Sequence, residues 1–270
     1  MPDLTRLKRI YLYDDPESAG LNVLDLAGYL AARLPDVEVS PRSDYFTHHL
    51  ARFAEEQQDM LVQELEKQLS SFEIEDAILP EDRGKAPAEP TEDLDLGAIY
   101  DATGLQAALK LLLPPEESGA DHLHIVFTDH CIADWDLAAR RMRIRIAALG
   151  QPTVISTSGL IEAPEKPKQY HFMRAQLAFL GQEEALDEVE GHFSDTTLGY
   201  ADPRLNEVLK GYVLKAAFYR MFNEAACRVQ SCRLFDAATH EEMLEAQTGR
   251  RPGLCHRHAE MLTKAGGEVE

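Results

Sequence analysis

Three of the four cysteines fall within one 29-residue window near the carboxy terminus, and their spacing restricts what that part of the chain can become. Cys227 and Cys232 are separated by four residues, a 22-residue gap follows, and Cys255 and His258 are separated by two. Two close ligand pairs on two turns, joined by a helix-length segment, assemble a tetrahedral zinc site, because each pair spans one edge of the tetrahedron. Three thiolates and one imidazole leave no open coordination position, so such a site is structural and contributes folding free energy. His256 could replace His258 as fourth ligand, although the two-residue gap fits a ligand turn better. The competing reading makes Cys227 and Cys232 small buried residues at a helix end and the stretch from Cys255 to His258 a solvated basic turn. The concentration of cysteines in one window favours zinc.

Metal-bound cysteines require a reducing compartment. The first apolar run, Ile10 to Tyr13, is too short for the core of a signal peptide, and no stretch approaches a membrane span, so the expected location is cytoplasmic. The chain sets 47 Asp and Glu against 27 Lys and Arg, a formal charge of −20 that repels phosphate backbones and anionic membrane surfaces. Nucleic acid and membrane are therefore not the expected partners; the partner stays open, with a peptide or protein as one candidate. The acidic excess suits a salt-rich cytoplasm, but an acidic loop plus solvated helix faces accounts for it equally.

Periodicity reads as a β-α-β opening: a strand over 9–13, a helix over 21–34 and a strand near 37–39. Residues 46–72 read as helical. The span 79–97, with three Pro and six acidic residues, reads as a mobile loop outside the core. A helix over 99–113, a strand over 122–127 and two strands joined near Gly150 follow, with a Pro-rich crossing over 159–168. Helices then dominate, the longest over 203–223. The expected fold is a single α/β domain over 1–270, a mixed sheet with packed helices, with a helical zinc-binding part over 203–262 and a tail over 264–270.

With the Cys/His frame in view, the chain resembles the archaemetzincins, a family of zinc metallopeptidases. Their catalytic helix carries HExxHxxGxxH, followed at once by Cys, four residues, Cys, one residue and Met, and later by CxxC; the second set binds a structural zinc. Cys227, Cys232, Leu234, Cys255 and His258 fall on that frame, with Leu234 for the Met and His258 for the last Cys. Upstream, "LHIVFTDHCIADWD", "RMRIRIAALG" and "PTVISTSGL" resemble the strands that precede the family's active-site helix, so the likeness runs over about 121–262 and is nearest to archaeal relatives. It implies a metzincin-like fold. It also implies that the catalytic ligands would sit at Ala216, Arg220 and Ala226, the general-base Glu at Ala217 and the Gly at Asn223, and that these positions face one point. None of those residues is kept. Catalytic zinc needs imidazoles at i and i+4 plus a carboxylate base, and two alanines and a permanent cation supply neither. Arg220 also stands four residues before Glu224, the spacing of an ordinary surface ion pair.

The resemblance therefore implies a catalytically silent relative of zinc metallopeptidases, a binding or regulatory protein with a peptide-sized cleft between the strand pair and the 203–223 helix. Two alternatives stand beside it. One is an active metal-dependent hydrolase using other residues, with His122, His124, Asp129, His130 or His171 as candidates; His122 and His124 share a strand face, and Asp129, His130 and Cys131 follow at its end. The bland reading of that group is strand-end capping and a buried cysteine. The other alternative is a metal-free interaction module.

Overall fold

Four consecutive buried residues, Ile10 to Tyr13, mark β1 (Arg9–Tyr13) as an interior strand covered on both faces. The computed structural model describes residues 7–68, 71–72, 98–137, 141–182 and 185–269. From β1 the chain enters α1 (Val23–Arg33), whose amino end is capped by the Asn22 side chain accepting the Asp25 N–H at 3.0 Å, and returns in β2 (Glu38–Arg42). The helical span expected over 46–72 is divided into α2 (Tyr45–Leu50) and α3 (Glu55–Gln68), followed by a two-residue β3 (Ser71–Phe72). The acidic span 79–97 lies outside the described residues.

Beyond it come β4 (Ile99–Asp101) and α4 (Ala102–Leu111). A helix was expected from Ile99; it starts later because Asp101 accepts the Gly104 N–H at 2.5 Å and fixes the amino end there, leaving Ile99 and Tyr100 free to pair as a strand. After a 3-10 turn over Pro115–Glu117 follow β5 (His122–Thr128), β6 (Ile132–Asp136), β7 (Arg141–Arg145), β8 (Ala147–Ala148) and β9 (Thr153–Ser156). The Pro-rich crossing begins with a helix instead of a loop, α5 (Thr157–Glu162), since the Ser156 hydroxyl accepts the Gly159 N–H at 2.7 Å directly at the strand end. The carboxy-terminal part is helical, as expected: α6 (Lys168–Leu180), α7 (Leu186–Phe193), α8 (Leu205–Phe222), α9 (His240–Thr248) and α10 (His256–Lys264).

The strands form two sheets. The larger runs β2-β1-β5-β9-β8, parallel except for the edge strand β8, which is antiparallel to β9. The smaller runs β3-β4-β6-β7. Only Ile146 separates β7 from β8, so one stretch of chain passes from the edge of one sheet to the edge of the other. Alternation along the strands sorts the core into two layers. Ile10, Leu12, Leu123, Ile125 and Ile155 pack with α1 and α8 on one face, while Tyr11, Tyr13, Val126 and Val154 pack with α2 and α4 on the other.

Helix α8 is the central helical element. It carries twelve buried residues and is flanked by α1 and α9. Helix α9 approaches it at Gly211, where a Cβ would collide with the Gln247 side chain. At its carboxy end Asn223 adopts the left-handed conformation (φ 54°, ψ 33°) and reverses the chain toward Cys227. Among the described residues no helix is long and apolar enough to cross a membrane.

Candidate metal centre and the adjoining cleft

The turn after α8, the loop beyond it and the start of α10 bring Cys227, Cys232, Cys255 and His258 together, with every potential ligand atom within 4.8 Å of the others. Cys227 Sγ lies 3.8 Å from Cys255 Sγ, and His258 Nδ1 lies 3.5 Å from Cys232 Sγ and 3.2 Å from Cys255 Sγ. A tetrahedron with Zn–S near 2.3 Å and Zn–N near 2.0–2.1 Å has S···S edges of about 3.8 Å and S···N edges of about 3.5 Å. The donor set therefore fits zinc in size as well as in softness. His258 occupies the fourth position; the His256 side chain is 88% exposed and turns toward Glu260. Backbone N–H groups face the sulfurs: Val229 N–H to Cys227 Sγ at 3.3 Å and Cys255 N–H to Cys232 Sγ at 3.4 Å. Burial pushes the Cys232 thiol up. At Cys255 burial acts the same way but is outweighed by hydrogen bonds from the His258 backbone and the neighbouring thiols, so that thiol is held below its ordinary value.

The imidazole is oriented from outside the cluster. Glu224 Oε1 accepts the His258 Nε2–H at 3.0 Å, which leaves the Nδ1 lone pair aimed at the three sulfurs, and Arg257 holds the other carboxylate oxygen at 2.6 Å. Glu224 was expected to pair with Arg220. That pairing fails because the left-handed turn at Asn223 takes Glu224 off the helix; Arg220 instead donates to the carbonyls of His122 (3.1 Å) and Gly119 (2.8 Å) at the start of β5.

A cavity of about 580 Å³ adjoins this turn, bounded by β7 and β8, by α8 and by the segment 236–238. Eight of its lining residues are alanine, so short side chains leave the space open. The four positions that the metallopeptidase frame places around one point are divided by the fold. Ala226 lines the cavity; Ala216 and Ala217 are fully buried in the core, and the Arg220 guanidinium is committed to β5. The face that α8 turns to the cavity carries Tyr212 and Lys215. Lys215 is 9% exposed; its ammonium donates to the Phe235 carbonyl at 2.7 Å and lies 4.5 Å from the centre of the Tyr212 ring. Burial lowers it to about 8.

The second histidine group is not assembled. His122 and His124 lie in the first half of β5, while Asp129 and His130 follow its far end, where His130 faces Asp129 at 3.7 Å and packs on Tyr100. His171 is exposed on α6, and Cys131 is fully buried. Among the described residues the Cys/His cluster is the one group with metal-site geometry. His124 belongs to a buried network with a determined proton map. Its Nε2–H donates to the Glu117 carbonyl at 3.0 Å, so its Nδ1 accepts from the Tyr13 hydroxyl at 2.9 Å. The same oxygen accepts from Arg42 at 2.8 Å and from His49 Nε2–H at 2.9 Å, and Arg42 is paired bidentately with Glu117. Burial lowers His124 to about 4 and His49 to about 3.

Sequence reasoning gave Glu224 the wrong partner and passed over Lys215. A signal for Lys215 was available, since it is a cation inside the otherwise apolar stretch from Tyr212 to Phe218. Nothing local marks Glu224, whose role depends on a partner 34 residues away.

No curated protein sequence matches the chain. Among solved structures it is similar to the crystal structure of archaemetzincin from Methanopyrus kandleri, at 13% identity and a TM-score of 0.44, over 98% of each chain. The family described as "Probable metallopeptidase family (DUF6775)" matches residues 6–265, and the chain belongs to that family.

Proposed function

We propose that this chain is a catalytically silent member of its metallopeptidase family, stapled by a structural zinc at Cys227, Cys232, Cys255 and His258, that binds peptide or protein segments in the cleft between β8 and α8. The observation that carries this reading is the cleft wall itself. Where a peptidase needs imidazoles and a carboxylate base on one helix face, α8 offers Tyr212 and Lys215. The four-ligand donor set supports the structural role, since it leaves no position for water or substrate. A cavity of about 580 Å³ falls in the range of small-ligand sites and accommodates a few residues of extended chain. Thiolate ligands and acidic charge agree with a reducing, cytoplasmic location and with a partner other than nucleic acid or membrane.

Elemental analysis of the purified protein, paired with cleavage assays on a peptide library, tests this. The expected result is one zinc per chain, lost on Cys255→Ser, with no cleavage at any metal supplement. A second zinc that survives Cys255→Ser, together with chelator-sensitive cleavage, would establish an active hydrolase instead.

A further inference from the structure

Lys215 is a buried cation with no described carboxylate in direct contact. The residue is nine-tenths buried, yet its one hydrogen bond is to a neutral carbonyl and no described carboxylate pairs with it. Asp236, an exposed residue on the same cavity wall and beyond ion-pair distance, exerts the largest favourable pull on it, followed by Cys232 and Cys227 of the cluster. The nearby Arg145 is already engaged by Asp134 at 2.6 Å. A buried cation without a contacting counter-ion is costly, and an anionic ligand that reaches it directly would offset that cost. Two of the three ammonium donors remain after the Phe235 bond, and Lys215 lines the cavity.

We propose that Lys215 is the anion anchor of the cleft and that the ligand is recognised by a carboxylate, delivered by a peptide C-terminus or by an acidic side chain. This rests on the peptide-binding reading above and names the chemistry it selects. The geometry suits such a group: a desolvated ammonium over the Tyr212 ring, at a wall of alanines that lets a ligand backbone come close. In a site shielded from water a charge-assisted hydrogen bond is roughly twice as strong as a neutral one. Burial depresses the ammonium, and carboxylate binding should raise it.

Four pools of randomised N-acetyl tetrapeptides, as free acids or C-terminal amides and with or without Asp and Glu, would be passed over the immobilised zinc-loaded protein, with acetate titrated separately by amide NMR. The expected result is at least tenfold stronger retention of a carboxylate-bearing pool than of the amide pool lacking Asp and Glu, abolished by Lys215→Met and partly kept by Lys215→Arg. Preference for free acids identifies the C-terminus, and preference for acidic amides identifies the side chain; both support the proposal. Saturable acetate shifts at Lys215 with no peptide retained would uphold the anion site and remove the peptide reading. Equal retention of all four pools would overturn the proposal while leaving peptide binding intact, and retention of none, with no acetate shift, would overturn both. Should Lys215→Met fail to fold, Ala226→Leu, which fills the cavity without touching the lysine, must abolish the same preference.

Discussion

Acid should unfold this protein in a range where its carboxylates do not yet respond. Three buried histidines are held neutral by hydrogen bonds that use both ring nitrogens or a fixed tautomer: His49, His124 and His240, each no more than 1% exposed. His240 accepts the Leu198 N–H at Nδ1 (3.0 Å) and donates from Nε2 to the Ile161 carbonyl (2.9 Å). Burial lowers it to about 4, as it does His124, and lowers His49 to about 3, from an ordinary value of 6.5. Because the folded values lie below the unfolded ones, the unfolded chain takes up protons first. The stability is fully present above pH 6.5 and is lost as pH falls toward 4. At 1.36 kcal/mol per unit, each histidine costs about 2 kcal/mol between pH 6.5 and 4.5, and three together cost about 6 kcal/mol. That is a large part of the usual 5–15 kcal/mol of a folded domain. Urea unfolding at pH 6.5, 5.5 and 4.5, comparing wild type with His240→Gln, isolates one of the three contributions. The variant should be less stable at pH 6.5 but should lose about 2 kcal/mol less than wild type on acidification. Competition of protons for the zinc ligands is common to both proteins and cancels in the difference. Parallel pH profiles for the two proteins would show that His240 is not held neutral, and the reasoning for the other two would fail with it.

Removing a ligand should be felt throughout the carboxy-terminal part: Cys227→Ser or Cys255→Ser should lose zinc and more than about 3 kcal/mol of stability, measured by calorimetry. Unchanged melting in both, with no zinc in the wild type, would refute the metal reading. Glu224→Ala keeps all four ligands but frees the His258 ring, and zinc affinity by chelator competition should fall about 10- to 100-fold; no change would deny Glu224 its orienting role. Lys215→Met should stabilise the unliganded protein at pH 7 by about 1–3 kcal/mol in denaturant titration, since it removes an unpaired buried charge at the loss of one hydrogen bond. Destabilisation would mean that the cation is compensated.

Much of the scaffold was readable from local pattern. The run from Ile10 to Tyr13 announces a doubly covered strand, and the bounds of α8 follow from an apolar stretch that stops at Asn223. The Cys/His cluster was readable because zinc coordination links ligand spacing to geometry so tightly. What escaped depends on contacts between distant segments. The sequence of β6, Ile132–Asp136, places acids where an exposed turn is equally plausible; it is a strand because β4 and β7 flank it. α5 was hidden by Pro164 and Pro167, which end a helix that Ser156 had already started. Tyr13, Arg42, His49 and His124 come from four different elements, and no spacing rule relates them. The family frame located the helix and the metal turn but not the direction of its side chains, since Arg220 finds carbonyl partners on β5.

The five residues from Asn223 to Cys227 belong to two sites at once. Glu224 is tied to His258, Ala225 and Ala226 form part of the cavity wall, and Cys227 belongs to the Cys/His cluster. Fully extended, five residues reach less than about 18 Å, so this segment has little slack with which to let one end move alone. Zinc in the cluster and a ligand in the cleft would then be linked, and linkage is reciprocal: the factor by which zinc changed affinity for the ligand would be the factor by which that ligand changed affinity for zinc. In a protein so built, metal supply would become a variable in the binding curve.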